Sequence, residues 1–189
     1  SGGYRTISAP DLKLLQIQRT IYQRVLVPVT IHPSATGFKP KTSIVQNTKP
    51  HLGNAHVLKV DIEDFFGSIK KSTVNAMFQM IGYPQDISEI LTHLCCLYGK
   101  LPQGAPTSPA LSNIAAYKMD TELSTLAFKN QLTYTRYADD LTFSGKVIPF
   151  DEVLEEIVMI IHKYGFSLNA KKTLCMHEKS RKIITGISV

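Results

Sequence analysis

LTYTRYADDLTF, residues 132–143, is the stretch of the chain that decides the fold. β-Branched and aromatic residues stand on both sides of Ala138-Asp139-Asp140, which predicts two short strands joined by a tight turn. Asp is common in turns for structural reasons alone, because its side chain accepts hydrogen bonds from the nearby backbone. By spacing alone, the two acids therefore fit either an ordinary hairpin turn or a functional site at its tip.

Outside this hairpin, the pattern of residues predicts one more buried strand and several helices. The strand covers residues 57–62 (VLKVDI) and has an acid, Asp61, near its end. Residues 28–55 are rich in Pro, Gly, Thr and His and are predicted to be a loop. Apolar residues at helical spacing predict helices over residues 11–27, 70–81, 86–98, 110–128 and 150–163. This order of elements predicts an α+β fold, with helices packed behind an antiparallel sheet.

Three acids, Asp61, Asp139 and Asp140, belong to the predicted strands and their turn. Carboxylates seldom lie on buried strands unless they are paired or bind cations. On neighbouring strands they could hold two Mg²⁺ ions about 3.5–4 Å apart, the arrangement in which a hydroxyl attacks a phosphate in line. The pattern therefore indicates phosphoryl-transfer chemistry as the alternative to a plain turn.

Composition and charge limit the classes of protein that the chain can be. Hydrophobic residues make up 43% of its 189 residues, which excludes wholesale disorder, and no run approaches the roughly 20 apolar residues of a membrane span. The net charge is +6, with Lys and Arg concentrated in residues 1–60 and 161–189 and acids concentrated between them. This distribution is typical of a protein that binds a polyanion and metal ions, although the solvated faces of a mildly basic protein give the same pattern.

Four motifs resemble those of reverse transcriptases. Residues 137–140 (YADD) resemble the catalytic YxDD hairpin, and residues 60–66 (VDIEDFF) resemble the first palm motif. Residues 101–109 (LPQGAPTSP) resemble the template- and nucleotide-contacting segment, and residues 165–173 (GFSLNAKKT) resemble the lysine-bearing motif. Four motifs in the family's order are far more specific than any one alone. The resemblance implies a polymerase palm, in which an antiparallel sheet is backed by helices.

Two shorter elements are similar to those of bacterial retron reverse transcriptases. Residues 47–51 (NTKPH) match the NAxxH element except that Thr48 replaces Ala. Residues 184–186 (ITG) match the VTG element except that Ile184 replaces Val. The chain is therefore identified as a retron or retron-like bacterial reverse transcriptase, with group II intron-type and defence-associated enzymes as alternatives.

The resemblance implies roles for the residues around the three acids. Asp61, Asp139 and Asp140 are expected to bind two Mg²⁺ ions, or Mn²⁺ in their place, and to be catalytic. Asp61 and Asp139 are expected to bridge both ions, with the carbonyl of Ile62 as a further ligand. Asp140 is expected to lie closer to the primer end.

The resemblance also implies residues that contact the incoming nucleotide. Arg5 is expected to grip the triphosphate, since a guanidinium binds phosphate through two hydrogen bonds. Phe66 is expected to lie under the sugar and to exclude a 2′-hydroxyl, and Gln103 and Gly104 to contact the nucleotide and the template base. Lys172, or its neighbour, is expected to protonate the leaving pyrophosphate.

In domain terms, the resemblance implies partial fingers over residues 1–56 and a palm over residues 57–189 that is truncated at the primer-grip hairpin. The thumb that follows the palm in the family is expected to be absent. We therefore expect the chain to hold a duplex weakly and to extend a primer by only a few nucleotides.

The function implied is that of an RNA-directed DNA polymerase whose partners are an RNA template, a DNA or RNA primer, dNTPs and a structured non-coding RNA. The alternatives are a related enzyme with another priming mode, and a fragment that only binds nucleic acid or a partner protein. Three unpaired cysteines and the lack of an export signal or membrane span predict a cytoplasmic protein with no membrane partner. Candidate contacts with the nucleic-acid backbone are Arg136, Lys179, Arg181 and Lys182.

Overall fold

A computed structural model describes residues 7–39 and 42–189 of the protein. The helices of this part are α1 (Leu12–Ile21), α2 (Ile44–Thr48), α3 (Lys71–Ile81), α4 (Gln85–Cys95), α5 (Ser108–Ala115), α6 (Tyr117–Lys129) and α7 (Phe150–Lys163). The strands are β1 (His56–Glu63), β2 (Thr133–Tyr137), β3 (Asp140–Gly145), β4 (Ser167–Leu168), β5 (Leu174–Met176), β6 (Ile183–Ile184) and β7 (Ile187–Ser188). A π-helical segment, Tyr22–Leu26, continues α1, and 3₁₀ turns form at Lys49–His51 and Ala170–Lys172. No helix of the described ranges combines the length and the apolar character needed to cross a membrane.

The chain divides into two compact units, and each is made of two separate stretches of sequence. The helical unit consists of the described residues of Ser1–Thr30 and Asp64–Ala115, with α1, α3, α4 and α5. The sheet unit consists of those of Ile31–Glu63 and Ala116–Val189, with α2, α6, α7 and β1–β7.

Within the helical unit, α3 packs against α4 and α5, and α1 packs against α4. The core between these helices includes Val74, Phe78 and Leu111, whose side chains are fully buried. The Asp11 side chain caps the start of α1 by accepting a 2.9 Å hydrogen bond from the Leu14 amide. The capping satisfies a backbone donor that the first turn of a helix leaves without a partner.

Within the sheet unit, four strands lie in the order β2-β3-β1-β4, and β5 also pairs with β1. All of these pairings are antiparallel. Leu58, Val60, Leu141 and Phe143 are fully buried, because β1 and β3 are the central strands. The α+β class, the strand over residues 57–62 and the hairpin over residues 132–143 are confirmed.

Both faces of this sheet are covered. Tyr134 stacks on Phe143 with 4.7 Å between ring centroids, and the Tyr134 hydroxyl donates to Asp120 of α6. Successive side chains of a strand point to opposite faces, so Thr135 and Ser144 face away from α6, and both contact the buried imidazole of His51. The strands that carry the acids are therefore held from two sides.

Two elements differ from the sequence-based expectation. The single helix expected over residues 110–128 is two helices, α5 and α6, which separate at Ala116 and belong to different compact units. The loop expected over residues 28–55 contains α2, whose start carries a capping box between Ser43 and Gln46. The residues that α2 buries are the polar Asn47 and Thr48, so the apolar periodicity that predicts a helix is missing.

Candidate active site

The tip of the β2–β3 hairpin and the end of β1 bring three acidic residues together. In the ladder between β1 and β3, Asp61 is directly opposite Asp140. Asp139 precedes β3 in the turn, and its carbonyl accepts a 2.9 Å hydrogen bond from the Ile62 amide. Opposite residues of an antiparallel pair lie about 4.5–5.5 Å apart at Cα. Two strands and one turn therefore hold the three acidic residues in one small region.

Lysine side chains neutralise part of this acidic cluster. The Lys172 ammonium lies 3.0 Å from a carboxylate oxygen of Asp61, and the Lys59 ammonium lies 3.7 Å from one of Asp140. Lys172 reaches Asp61 because β4 pairs with β1 and the Asn169 amide donates to the Asp61 carbonyl at 2.8 Å. Of the two adjacent lysines named by the sequence motif, Lys172 is thus the one that contacts the cluster.

The carboxyl of Asp139 has a raised pKa. Burial is the largest cause, because it disfavours the charged form, and the negative charges of Asp61 and Asp140 act in the same direction. A hydrogen bond to its own backbone and the charge of Lys172 oppose the rise. The site therefore concentrates negative charge, and a cation is the species that would offset this electrostatic cost.

The donor set of this cluster fits a hard divalent ion. Carboxylate and carbonyl oxygens are the ligands that Mg²⁺ and Mn²⁺ prefer. The amide and carbonyl of one strand residue point to the same side, so the Ile62 carbonyl is directed toward the hairpin as its amide is. Within residues 7–39 and 42–189, no three His, Cys, Asp or Glu side chains converge as a ready metal site. The lysines that contact Asp61 and Asp140 would have to move aside for an ion to bind between the carboxylates.

Ala138, the residue before the two acids, has an unusual backbone conformation. Its φ is 57°, in the left-handed region that a residue with a Cβ seldom adopts. The Arg136 guanidinium donates a 3.0 Å hydrogen bond to the Ala138 carbonyl. Gly37 packs against the other side of the turn, where a Cβ would come within 2.7 Å of the Ala138 nitrogen. The turn is thus fixed by Arg136 of the hairpin itself and by Gly37 of a distant segment.

Arg136 belongs to a fully buried ion pair with Asp120 of α6. Its Nε and Nη2 donate to the two carboxylate oxygens at 2.8 and 2.7 Å, and both side chains have no exposed surface. Burial opposes the guanidinium charge, but Asp120 and Tyr134 outweigh it and raise the pKa of Arg136 overall. The prediction that Arg136 contacts a nucleic-acid backbone is therefore wrong, because its guanidinium is fully buried and paired with Asp120. Lys182 is likewise turned inward, onto the carbonyls of Glu178 and Ser180.

His51 joins the hairpin to the segment before β1. Its Nδ1 lies 2.6 Å from the Ser144 hydroxyl and its Nε2 lies 2.7 Å from the Thr135 hydroxyl. Burial lowers the pKa of His51 to about 4, so the imidazole is neutral at pH 7. A neutral ring with one hydroxyl on each nitrogen ties β2 to β3 on the face opposite α6.

The depressed pKa of His51 predicts acid sensitivity of the fold. The unfolded chain takes up a proton near pH 6.5 and the folded chain only near pH 4, so stability falls as the pH drops from about 6.5 toward 4. Between pH 7.5 and pH 5 this group should cost about 2 kcal/mol of unfolding free energy. Urea unfolding of the wild type and of His51→Gln at the two pH values measures it. The Gln variant should be less stable at pH 7.5 but should lose about 2 kcal/mol less on acidification, and equal losses would contradict the prediction.

With this geometry in place, comparison with known proteins assigns the chain to a family. The reverse transcriptase (RNA-dependent DNA polymerase) family matches residues 1–188. The chain belongs to the reverse transcriptase family. Three similar relatives are named retron reverse transcriptases: Ec86 of Escherichia coli, and Mx65 and Mx162 of Myxococcus xanthus. The sequence-based identification with the retron type is confirmed.

This reverse transcriptase chain spans only part of those relatives. It is 37% identical to the Ec86 enzyme over 98% of its own length, and this match covers 58% of that enzyme. It is 34% and 33% identical to the Mx65 and Mx162 enzymes over its full length, with 49% and 45% of those enzymes covered. The chain therefore corresponds to about half of each relative.

Solved structures of telomerases share the fold of this reverse transcriptase chain. A telomerase from Candida albicans, in complex with a fragment of telomeric RNA, aligns with a TM-score of 0.58 and 12% identity over 94% of the chain and 36% of the telomerase. An apo telomerase from Candida tropicalis aligns with a TM-score of 0.61 and 10% identity, over 94% of the chain and 38% of the telomerase. At such identities the similarity concerns the fold alone.

The two retron-like elements of the chain contact each other. The hydroxyls of Thr48 and Thr185 lie 3.2 Å apart, and the Asn47 amide donates to the Thr185 hydroxyl at 3.4 Å. Thr185 and Gly186 both have positive φ and form the two-residue turn between β6 and β7. Thr48, which departs from the family pattern, thus supplies a hydroxyl to this contact.

Of the residues expected to bind the nucleotide, those that the structure describes lie in the helical unit. Phe66 is half-buried with its ring 5.8 Å from that of the buried Phe65. The Gln103 carbonyl accepts a 2.7 Å hydrogen bond from the Ser8 amide, and Gly104 has a φ of 120°. Arg5 lies outside the described residues. Gln103 and Gly104 are consecutive residues, which the hydrogen bond from Ser8 ties to the segment before α1. The three acids, from two distant stretches of sequence, are brought together within the sheet unit.

Proposed function

We propose that this chain forms the catalytic core of an RNA-directed DNA polymerase, which adds dNTPs to the 3′-hydroxyl of a primer annealed to an RNA template. The observation that carries the proposal is the grouping of Asp61, Asp139 and Asp140 where β1 meets the β2–β3 hairpin, in a member of the reverse transcriptase family. Phosphoryl transfer needs few protein groups besides those that position ions and phosphates. Three carboxylates at one strand junction meet that need.

In this proposal, Asp61, Asp139 and Asp140 would hold two Mg²⁺ ions, for which Mn²⁺ could substitute. The Ile62 carbonyl supplies a further ligand. Ions held there would activate the primer hydroxyl and neutralise charge on the transferring phosphoryl group. Lys172, whose ammonium lies 3.0 Å from Asp61, would be the residue that donates a proton to the leaving pyrophosphate.

The proposal also gives roles to the residues that would bind the nucleotide and the nucleic acid. Arg5 grips the triphosphate, Phe66 lies under the sugar, and Gln103 and Gly104 contact the nucleotide and the template base. Residues 1–56 serve as partial fingers and residues 57–189 as the palm. We further propose that the template is a structured non-coding RNA, as the resemblance to retron reverse transcriptases implies.

Primer extension tests this proposal directly. A labelled primer is annealed to two RNA templates of different sequence and incubated with the protein, Mg²⁺ and dNTPs, and the products are sequenced. We expect product sequences that are complementary to the template supplied. The same product from both templates, or extension without a template, would indicate a polymerase of another kind and overturn the RNA-templated assignment.

The role of Phe66 predicts a change in sugar selectivity. A bulky ring under the sugar clashes with a 2′-hydroxyl, so Phe66→Ala should raise the efficiency of rNTP relative to dNTP incorporation about 10-fold or more. Single-nucleotide incorporation with dNTP and rNTP of the same base measures this ratio. Phe65→Leu is the matched control, because Phe65 is a buried core residue, and an unchanged ratio in Phe66→Ala would contradict the assigned role.

A further inference from the structure

The segment that joins α4 to residues 101–109 contains a tight turn. The backbones of Leu97 and Lys100 exchange two hydrogen bonds, of 2.9 and 3.2 Å. The two residues between them, Tyr98 and Gly99, have φ values of 48° and 77°. Positive φ at both central residues defines a type I′ turn. The Lys71 amide also donates to the Gly99 carbonyl at 2.8 Å, so the turn is fixed to the start of α3.

Tyr98 is an unusual residue for the tip of such a turn. Asn, Asp and Gly are preferred at the first central position, because a larger side chain is disfavoured at positive φ. The Tyr98 side chain is 91% exposed, so its ring contributes little to the core. Neither turn chemistry nor packing explains why an aromatic residue occupies this position. The Tyr98 ring therefore faces solvent from a turn that backbone hydrogen bonds hold in place.

Three lysines lie next to Tyr98 along the paired backbone. Lys70 forms an isolated antiparallel bridge with Lys100, and both are exposed. The Lys71 ammonium lies 2.7 Å from Nε2 of His93. Asp64 pairs with one of these lysines, since its carboxylate oxygen lies 3.5 Å from the Lys100 ammonium. The surface thus has more positive than negative charge and suits a polyanion.

We propose that this surface, made of Tyr98, Lys70 and Lys100 and called here the Tyr98 turn, binds single-stranded nucleic acid. The Tyr98 ring offers a stacking face for one unpaired base, and the two lysines contact phosphates on either side of it. Exposed rings flanked by basic side chains are how proteins hold single strands without reading their sequence. The inference rests on the proposed function in one respect, namely that the RNA template is the natural source of the strand.

Variants at Tyr98 test the stacking contact without unfolding the turn. Tyr98→Asn removes the ring but places a residue that the type I′ turn prefers, so the fold should be at least as stable as the wild type. Tyr98→Phe keeps the stacking face. Binding is measured by fluorescence anisotropy with a labelled oligouridylate and with its deoxy counterpart, in the absence of dNTPs. We expect about 10-fold weaker binding for Tyr98→Asn and less than about a 2-fold change for Tyr98→Phe.

Two further controls separate this surface from general charge and from exposed aromatic residues. Phe128, which is 84% exposed in the sheet unit, is the matched aromatic, and Phe128→Ala should bind as the wild type does. Lys70→Gln and Lys100→Gln should each lower the slope of log affinity against log salt by about 0.7. Unchanged affinity of Tyr98→Asn for both oligonucleotides would overturn the proposal.

Comparing the RNA and DNA oligonucleotides also shows which nucleic-acid strand the Tyr98 turn binds. Weaker binding of the RNA by Tyr98→Asn assigns the Tyr98 turn to the template, and weaker binding of the DNA alone assigns it to the product strand and overturns the template role. The assay contains no catalytic step. A failed primer-extension assay together with a 10-fold Tyr98 effect would therefore refute the proposed polymerase and leave the binding surface intact.

Discussion

Asp139→Asn should abolish nucleotide addition, with a rate at least about 10³-fold below that of the wild type. The substitution keeps the size of the side chain and removes the charge that would bind the divalent ion. Metal-ion stabilisation of the transferring phosphoryl group supplies several kcal/mol, and about 4 kcal/mol corresponds to a 10³-fold change in rate. Single-turnover primer extension on an RNA template, with saturating dNTP and Mg²⁺, measures the rate.

The fold of the Asp139→Asn variant should be preserved. The raised pKa of Asp139 means that its charge is disfavoured in the folded state, chiefly by burial and then by Asp61 and Asp140. The Asn variant should therefore be at least as stable as the wild type at pH 7, and this advantage should vanish below the ordinary carboxyl pKa of 3.8. Glu63→Gln, at the exposed end of the same strand β1, is the matched control and should retain activity within a few-fold. Equal losses in both variants would show that the charge of Asp139 has no special role.

The proximity of the three acids could be predicted from the sequence because it depends on local rules. The pattern of strand-forming residues around Ala138-Asp139-Asp140 gives a hairpin, and the run at residues 57–62 gives a buried strand that carries Asp61. Both strands were expected in one antiparallel sheet, and the structure pairs them with Asp61 opposite Asp140. The motif order then indicated the family, which the match over residues 1–188 confirms.

The supports of the hairpin could not be predicted, because they come from distant segments. Nothing in the sequence pairs Arg136 with Asp120, which is 16 residues earlier on a helix. The sequence likewise does not show that Gly37 packs on Ala138, or that His51 lies between Thr135 and Ser144. These contacts depend on tertiary packing, which polar residue types in a predicted loop do not reveal.

Asp120→Asn should destabilise the protein by about 3–5 kcal/mol. The substitution leaves the guanidinium of Arg136 buried without an opposite charge, and breaking one partner of a buried pair is strongly destabilising. Urea unfolding at pH 7 measures the loss. The exposed pair of Glu122 and Lys163 is the matched control, because solvent screens it, and Glu122→Gln should change the unfolding free energy much less. Equal effects of the two substitutions would show that burial adds nothing to the pair of Asp120 and Arg136.

A triple variant separates the stability of this network from its effect on the hairpin. Asp120→Leu with Tyr134→Phe and Arg136→Met removes the three polar side chains of the network, and apolar replacement of a buried ion pair is often neutral or stabilising. Stability should therefore recover relative to Asp120→Asn. The Ala138 carbonyl, which accepts a 3.0 Å hydrogen bond from Arg136 in the wild type, has no donor in this variant. A small displacement of reacting groups lowers the rate strongly, so the rate of primer extension should remain about 10-fold or more below that of the wild type. Full activity in a stable triple variant would mean that the turn positions Asp139 and Asp140 without Arg136.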